Sequence, residues 1–208
     1  MNKTKNKTII LGSGGHCNVL IDILLLRKIE VIGIIDKKRD EKCLFDHIPV
    51  IREEDLLNDM STRSMPLVNA VGQMPGNSSR SDLSKAYRDL GYQFLSVIHP
   101  GAIIARQTNL SEGVQVMAGA VIQPNVIIGE DTIINTSVSI DHDCAIGDSC
   151  HLAPGTVISG NVSIGSNTFV GAGSTIINNI RIGKNSTIAA GSIVFDDIAE
   201  SSNFIQKR

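Results

Sequence analysis

The chain has 208 residues, of which 42% are hydrophobic and 3% aromatic, and a formal net charge of −2. That is enough apolar material for one or two cores, without the basic stripe or stacking aromatics that a nucleic-acid partner requires. The apolar run ending at Gly12 is too short for a secretory segment, and the longest apolar stretch, NVLIDILLLRK, contains Asp22, so no membrane association is expected and the location expected is cytoplasmic.

Residues 1–97 alternate between strand and helix patterns. TIILGSGG is a short apolar strand running into a glycine turn, HCNVLIDILLLRK has helical apolar spacing, and EVIGIID is a second strand. REEDLLNDM predicts a short helix, PLVNAVG a strand and SSRSDLSKAYRDLGY a helix before FLSVIHP. This order predicts a small parallel sheet of Rossmann-like type. Gly12, Gly14 and Gly15 stand at the first strand-to-helix turn, where bare N–H groups can hold phosphate, and Asp36 ends the second strand, where a ribose-binding acid would lie. The dinucleotide fingerprint is incomplete, because Cys17 stands where its third glycine belongs and His16 is foreign to it, so NAD chemistry is not expected. A turn that only needs glycine torsions is the plainer alternative.

From Ile98 onward the pattern changes. Every sixth residue as far as Val194 is Ile, Leu or Val, and the residue four places after each is nearly always small or β-branched. A helix repeats near 3.6 and a strand near 2, so a period of six fits neither. It predicts a parallel β-helix in which three hexads close one triangular coil and aliphatics stack every eighteen residues, giving a prism roughly 25 Å tall. The predicted boundaries are 1–97 for the α/β domain, 98–195 for the β-helix and 196–208 for a short tail.

Within the prism, His142 and His151 fall on outward positions of their hexads, whereas Cys144 and Cys150 fall on the small inward position and read as core filler. The four cysteines, Cys43 and Cys17 included, form no CxxC pair, so neither a disulfide framework nor a zinc ribbon is expected. Asp141 and Asp143 flank His142; a carboxylate on one ring nitrogen fixes the tautomer and raises basicity, leaving the other nitrogen to take a proton. Nine residues is half a coil, so His142 and His151 should not meet within one chain, although they could converge across a subunit interface. Zinc is the rival reading, but the histidines of this half, His99, His142 and His151, are widely spaced, and no metal is expected.

The GSGGHCNV turn, the SVIHPGA linker and INTSVSIDHDCAIGDSCHLAPGTVISGNVSIG together resemble the PglD/NeuD-type sugar acetyltransferases of the hexapeptide-repeat superfamily. The resemblance covers nearly the whole chain. It implies an α/β Rossmann-like domain followed by a left-handed parallel β-helix, a homotrimer with acetyl-CoA held between neighbouring prisms, and a sugar substrate held partly by the N-terminal domain. It places the general base at His142 and its orienting carboxylate at Asp143, a second active-site histidine near the acetyl group at His151, and a backbone position beside the thioester at Gly160. It also implies nucleotide binding by Gly12, Gly14, Gly15, His16 and Asp36, with Gly72 and Arg80 in the same pocket. The family's G-x-P-A-K-like ending is replaced here by SSNFIQKR, leaving Lys207 and Arg208 as the cations available to coenzyme A from that end.

The expected reaction is acetyl transfer to a nucleotide-activated amino sugar, with O-acetylation of sialic acid as the alternative. A reading from another class is a non-catalytic trimeric scaffold whose N-terminal half senses a nucleotide.

Overall fold

The computed structural model describes residues 6–36, 45 and 47–205. The chain divides into two compact units: residues 1–72 with 79–100, and residues 73–78 with 101–208.

The first unit is built on a parallel sheet. Strand β1 (Lys7–Leu11) leads through the glycine turn into helix α1 (Gly15–Leu26), then β2 (Glu30–Ile35), β3 (Val50–Ile51), helix α2 (Glu53–Asn58), β4 (Leu67–Asn69) and helix α3 (Ser79–Asp89). The sheet order is β3-β2-β1-β4. Ile9, Ile10, Leu11, Ile34, Leu67 and Val68 are buried along its centre, which is why these strands read as continuous apolar runs. Tyr87 of α3 sits edge-on to Tyr92, and its hydroxyl donates to Glu53 Oε1 of α2 at 2.8 Å. The sequence pattern locates each of these elements except β3, whose two residues are too few to show a period.

The second unit is a β-helix of two-residue strands. Ser139–Ile140 pairs with Val121–Ile122 and Val157–Ile158; Ala145–Ile146 pairs with Ile127–Ile128 and Ser163–Ile164; His151–Leu152 pairs with Ile133–Ile134 and Phe169–Val170. Each of these pairings joins residues eighteen apart, as three hexads per coil require. Val116, Ile134, Leu152, Val170 and Ile188 form one fully buried column. The small inward residues close the corners: Thr132, Thr168 and Ser174 donate their hydroxyls to the carbonyls of Gly147, Gly183 and Ala189. Cys144 and Cys150 occupy equivalent places, their thiols 3.2 Å from the carbonyl oxygens of Ser159 and Gly165.

A second periodicity lies in the backbone. Every sixth residue from Gly113 to Gly191 has a positive φ, whether it is Gly, Asn, Asp or Ser. These are the residue types for which the left-handed region costs least, and they turn the chain at each corner. Residues 196–205 keep to the stack: Ile198 bridges to Ile182 and Asn203–Phe204 pairs with Thr187–Ile188, two residues short of a full coil.

Candidate active site

His142 stands at the corner that follows the strand Ser139–Ile140, between Pro124 in the coil before and Gly160 in the coil after. Asp143 N donates to Pro124 O at 3.2 Å, and Asn161 N donates to His142 O at 3.0 Å, so the corner is held from both sides. Asp143 takes the left-handed turn, φ +61°. Its side chain returns to the preceding ring, placing Oδ2 2.7 Å from His142 Nδ1. The other oxygen, Oδ1, accepts from Asn125 Nδ2 at 3.1 Å, and Asp141 Oδ1 accepts from His142 N at 2.8 Å. The hydrogen bond to Asp143, reinforced by the charge of Asp141, raises the His142 pKa above the ordinary imidazole value. His142 and then Asn125 hold the Asp143 carboxyl below the usual carboxylate range. With Nδ1–H directed at the carboxylate, Nε2 carries the lone pair on an exposed ring. The ring lies over Gly160, whose missing β-carbon makes the space it occupies.

His151 is arranged differently. It lies on a strand of another face of the prism, half-buried, with its ring edge-on to Phe169 at 5.0 Å. Its Nδ1 is 3.0 Å from Gln73 O and its Nε2 3.1 Å from Asn135 Nδ2. A carbonyl can only accept, so Nδ1 carries the proton and Nε2 accepts from the amide. Asn135 Oδ1 takes the Thr136 N–H at 2.8 Å, which sets the amide in that orientation. Both ring nitrogens are thus engaged, and of these two histidines it is His142 that presents an acceptor for a new proton. The structure brings together His142, Asp143 and Gly160; it does not place His151 in their hydrogen-bonded group. Beside Asp143 a cavity of about 390 Å³ is lined by polar groups that include Asn161, Ser163, Asn179 and Arg181.

In the first unit, Gly12 has φ +98° and donates its N–H to Ile35 O at 2.8 Å. The buried Ser13 gives both its N–H and its hydroxyl to Asp36 Oδ2, at 2.8 and 2.7 Å. Asp36 therefore ties the end of β2 to the glycine turn. Gly14 caps α1 without a side-chain hydrogen bond, and a β-carbon on Gly15 would meet nothing within 4 Å. A helix start built on glycines suits an anion. His16 is half-buried in the first turn of α1. Gly72 is exposed, whereas Arg80 is buried with Nη1 bonded to the carbonyls of Asn69 and Val71, 2.8 Å each. Lys207 and Arg208 lie outside the described residues, as does Cys43.

Sequence reasoning missed Ser13, Gln73, Asn125 and Asn135. For Asn125 a signal existed: it lies eighteen residues before Asp143, one coil away in the same column.

Residues 7–86 match the PglD N-terminal domain family, and residues 125–160 and 161–196 match the bacterial transferase hexapeptide (six repeats) family. A histidine-to-asparagine variant of perosamine N-acetyltransferase from Caulobacter crescentus, in complex with CoA and GDP-perosamine, is 33% identical over 97% of this chain and 94% of that one, with a TM-score of 0.88. The chain belongs to the PglD-type sugar acetyltransferases. The acetyltransferase domain of PglB from Neisseria gonorrhoeae, in complex with acetyl coenzyme A, is 28% identical over 95% of each chain, with a TM-score of 0.86. WeeI from Acinetobacter baumannii, 20% identical over 96% of each chain with a TM-score of 0.84, shares the fold. No curated protein matches. As in other PglD-type acetyltransferases, an N-terminal α/β domain precedes a left-handed parallel β-helix. Among the described residues no helix is long and apolar enough to cross a membrane, and no group of three His, Cys, Asp or Glu side chains is placed to hold a metal ion.

Proposed function

We propose that this PglD-type acetyltransferase moves the acetyl group of acetyl-CoA to the amine of a nucleotide-activated sugar, with His142 as general base and Asp143 as the carboxylate that orients it. The observation that carries the reading is the 2.7 Å contact between His142 Nδ1 and Asp143 Oδ2 on an exposed ring. As the amine nitrogen attacks the thioester carbonyl, Nε2 takes the proton that the nitrogen sheds. The C–S bond then breaks, coenzyme A leaves as its thiolate, and the imidazolium can return the proton to it. The N–H of Gly160 would stabilise the tetrahedral oxyanion. No acyl-enzyme is needed, in keeping with cysteines that are buried: burial pushes the Cys150 thiol up to about 12.

The N-terminal turn is assigned to the nucleotide. Gly12, Gly14, Gly15 and His16 present the start of α1 to a diphosphate. Asp36 locks the turn through Ser13 and contributes to the ribose side, with Gly72 and Arg80 bordering the same pocket. His151, its tautomer set by Gln73 and Asn135, is assigned to the acetyl-CoA side with Gly160. The assembly proposed is a homotrimer; the outward Ile103, Val157 and Ile193, exposed on one face of the prism, supply apolar surface for a neighbouring copy.

The test is a thiol-release assay with acetyl-CoA and a panel of acceptors: GDP-, UDP- and CMP-linked amino sugars and free sialic acid. Wild type should turn over a nucleotide-linked amino sugar, and His142→Ala should lose about 10²–10⁴-fold in kcat with its fold intact. Turnover of sialic acid alone would replace the acceptor by the O-acetylation alternative. Nucleotide binding with no thiol release from any acceptor would favour the scaffold.

A further inference from the structure

The corner column that contains Asp143 also holds Asn125, Asn161 and Asn179, one per coil, each with a positive φ near 60°. Asn161 Nδ2 donates to Asn179 Oδ1 at 2.8 Å, an amide-to-amide step of an ordinary ladder. Two coils below, the acceptor is a carboxylate. Asn125 Nδ2 donates to Asp143 Oδ1 at 3.1 Å while Asp143 Oδ2 faces His142 Nδ1 at 2.7 Å. The two oxygens of one carboxylate are therefore held by two different donors, which fixes the carboxylate plane. A single bond would let it rotate, and the Asp143 side chain is half exposed, so water competes for whichever oxygen is released. The torsion at this corner does not itself call for an amide, since Gly155, Gly173 and Gly191 meet the same requirement elsewhere in the period.

We propose that Asn125 is a positioning residue for acetyl transfer: its side-chain amide holds the Asp143 carboxylate in the rotamer that engages His142. The inference rests on the reading of His142 as the base. Asn125 does not touch the reacting atoms; it acts through Asp143, and the charged groups facing the His142 ring are Asp143 and Asp141. The bond it makes is to an ionised acceptor and so belongs to the stronger class of hydrogen bonds.

The clean variant is Asn125→Gly, which keeps the left-handed torsion and deletes only the amide. It should lose about 10- to 100-fold in kcat, the scale of a small misplacement of a catalytic group, with KM for acetyl-CoA unchanged. The acid limb of its pH–rate profile should move to lower pH, because a carboxylate that leaves His142 ceases to stabilise the imidazolium. Asn167→Gly, which makes the same change in another corner column, is the matched control for stability and should leave the acid limb in place. If Asn125→Gly keeps the wild-type acid limb, or loses no more activity than Asn167→Gly, the positioning role is overturned while the assignment of His142 stands. If His142→Ala retains its turnover, it is the base reading itself that fails.

Discussion

The ring of His142 occupies the space that a β-carbon on Gly160 would fill: such an atom would lie 2.9 Å from Cε1 and 3.0 Å from Nε2. The two residues are eighteen apart and stack directly across adjacent coils. Gly160 is buried and its φ is not in the left-handed region, so its role here is space and not torsion.

Gly160→Ala should therefore displace the imidazole more than it disturbs the coil. We expect kcat to fall by about 10²-fold, the cost of moving a catalytic group by about an ångström. The thermal midpoint should change little, because the obstructing ring is exposed and can swing outward. Steady-state kinetics beside a melting curve would check this. A variant as active as wild type would mean that the ring position seen here is not the one used in turnover.

The pH dependence follows from the same group. His142 must be neutral to accept a proton, and Asp143, with Asp141, raises its pKa above the ordinary value. Activity should thus rise with pH through a midpoint above about 6.5, the reference value for histidine. In Asp143→Asn the imidazolium loses its partner, its pKa falls, and the acid limb should move to lower pH while the plateau rate drops. A pH series of kcat/KM for the two proteins decides it; an acid limb that stays in place would separate Asp143 from the titration.

Much of this was legible in the sequence because the signals are periodic. The aliphatic hexads required the β-helix, and eighteen-residue stacking follows from three hexads per coil. The DHD cluster pointed to the pairing of His142 with Asp143 because the two are adjacent in the chain. What could not be read were contacts that depend on side-chain direction. The place of Asp36 after β2 suggests a ribose acid and gives no sign that its Oδ2 holds Ser13. Nothing in the spacing of Gln73, Asn135 and His151 shows that two of them set the tautomer of the third. The positive-φ corners were legible in principle as recurring Gly, Asn, Asp and Ser, but those residue types are scattered through the hexads and do not stand out as the aliphatics do.

At the N-terminal turn, Asp36→Ala removes the acceptor of two hydrogen bonds from the buried Ser13. We expect a stability loss of about 1–3 kcal/mol, the range for a buried donor left unsatisfied, together with weaker binding of nucleoside diphosphates. Denaturant melts and calorimetric titration with GDP and UDP measure the two effects separately. Unchanged nucleotide affinity would confine Asp36 to holding the turn.

Gly147 tests the packing of the prism away from the chemistry. A β-carbon there would lie 2.5 Å from Ser166 N and 2.8 Å from Ser166 Oγ, in the coil above. Backbone cannot yield as a flexible side chain can, so Gly147→Ala should destabilise the protein by the ~1–3 kcal/mol typical of overpacking. A thermal melt checks this. An unchanged midpoint would show that the coils separate more easily than their hydrogen-bonded register suggests.

The eighteen-residue coil also makes the length of this chain a quantised variable. Duplicating one whole coil below Pro124 would lengthen the rod by about 4.8 Å and leave Asp143 beneath Asn161 and His142 beneath Gly160. Duplicating a single hexad between His142 and Gly160 would instead carry everything after it onto the next face, so that another residue would stand over the imidazole. Losing one residue there would turn the buried columns outward, since a single step exchanges the two sides of a strand. Between Pro124 and Asn161, insertions and deletions can thus leave the His142 corner intact only in whole coils.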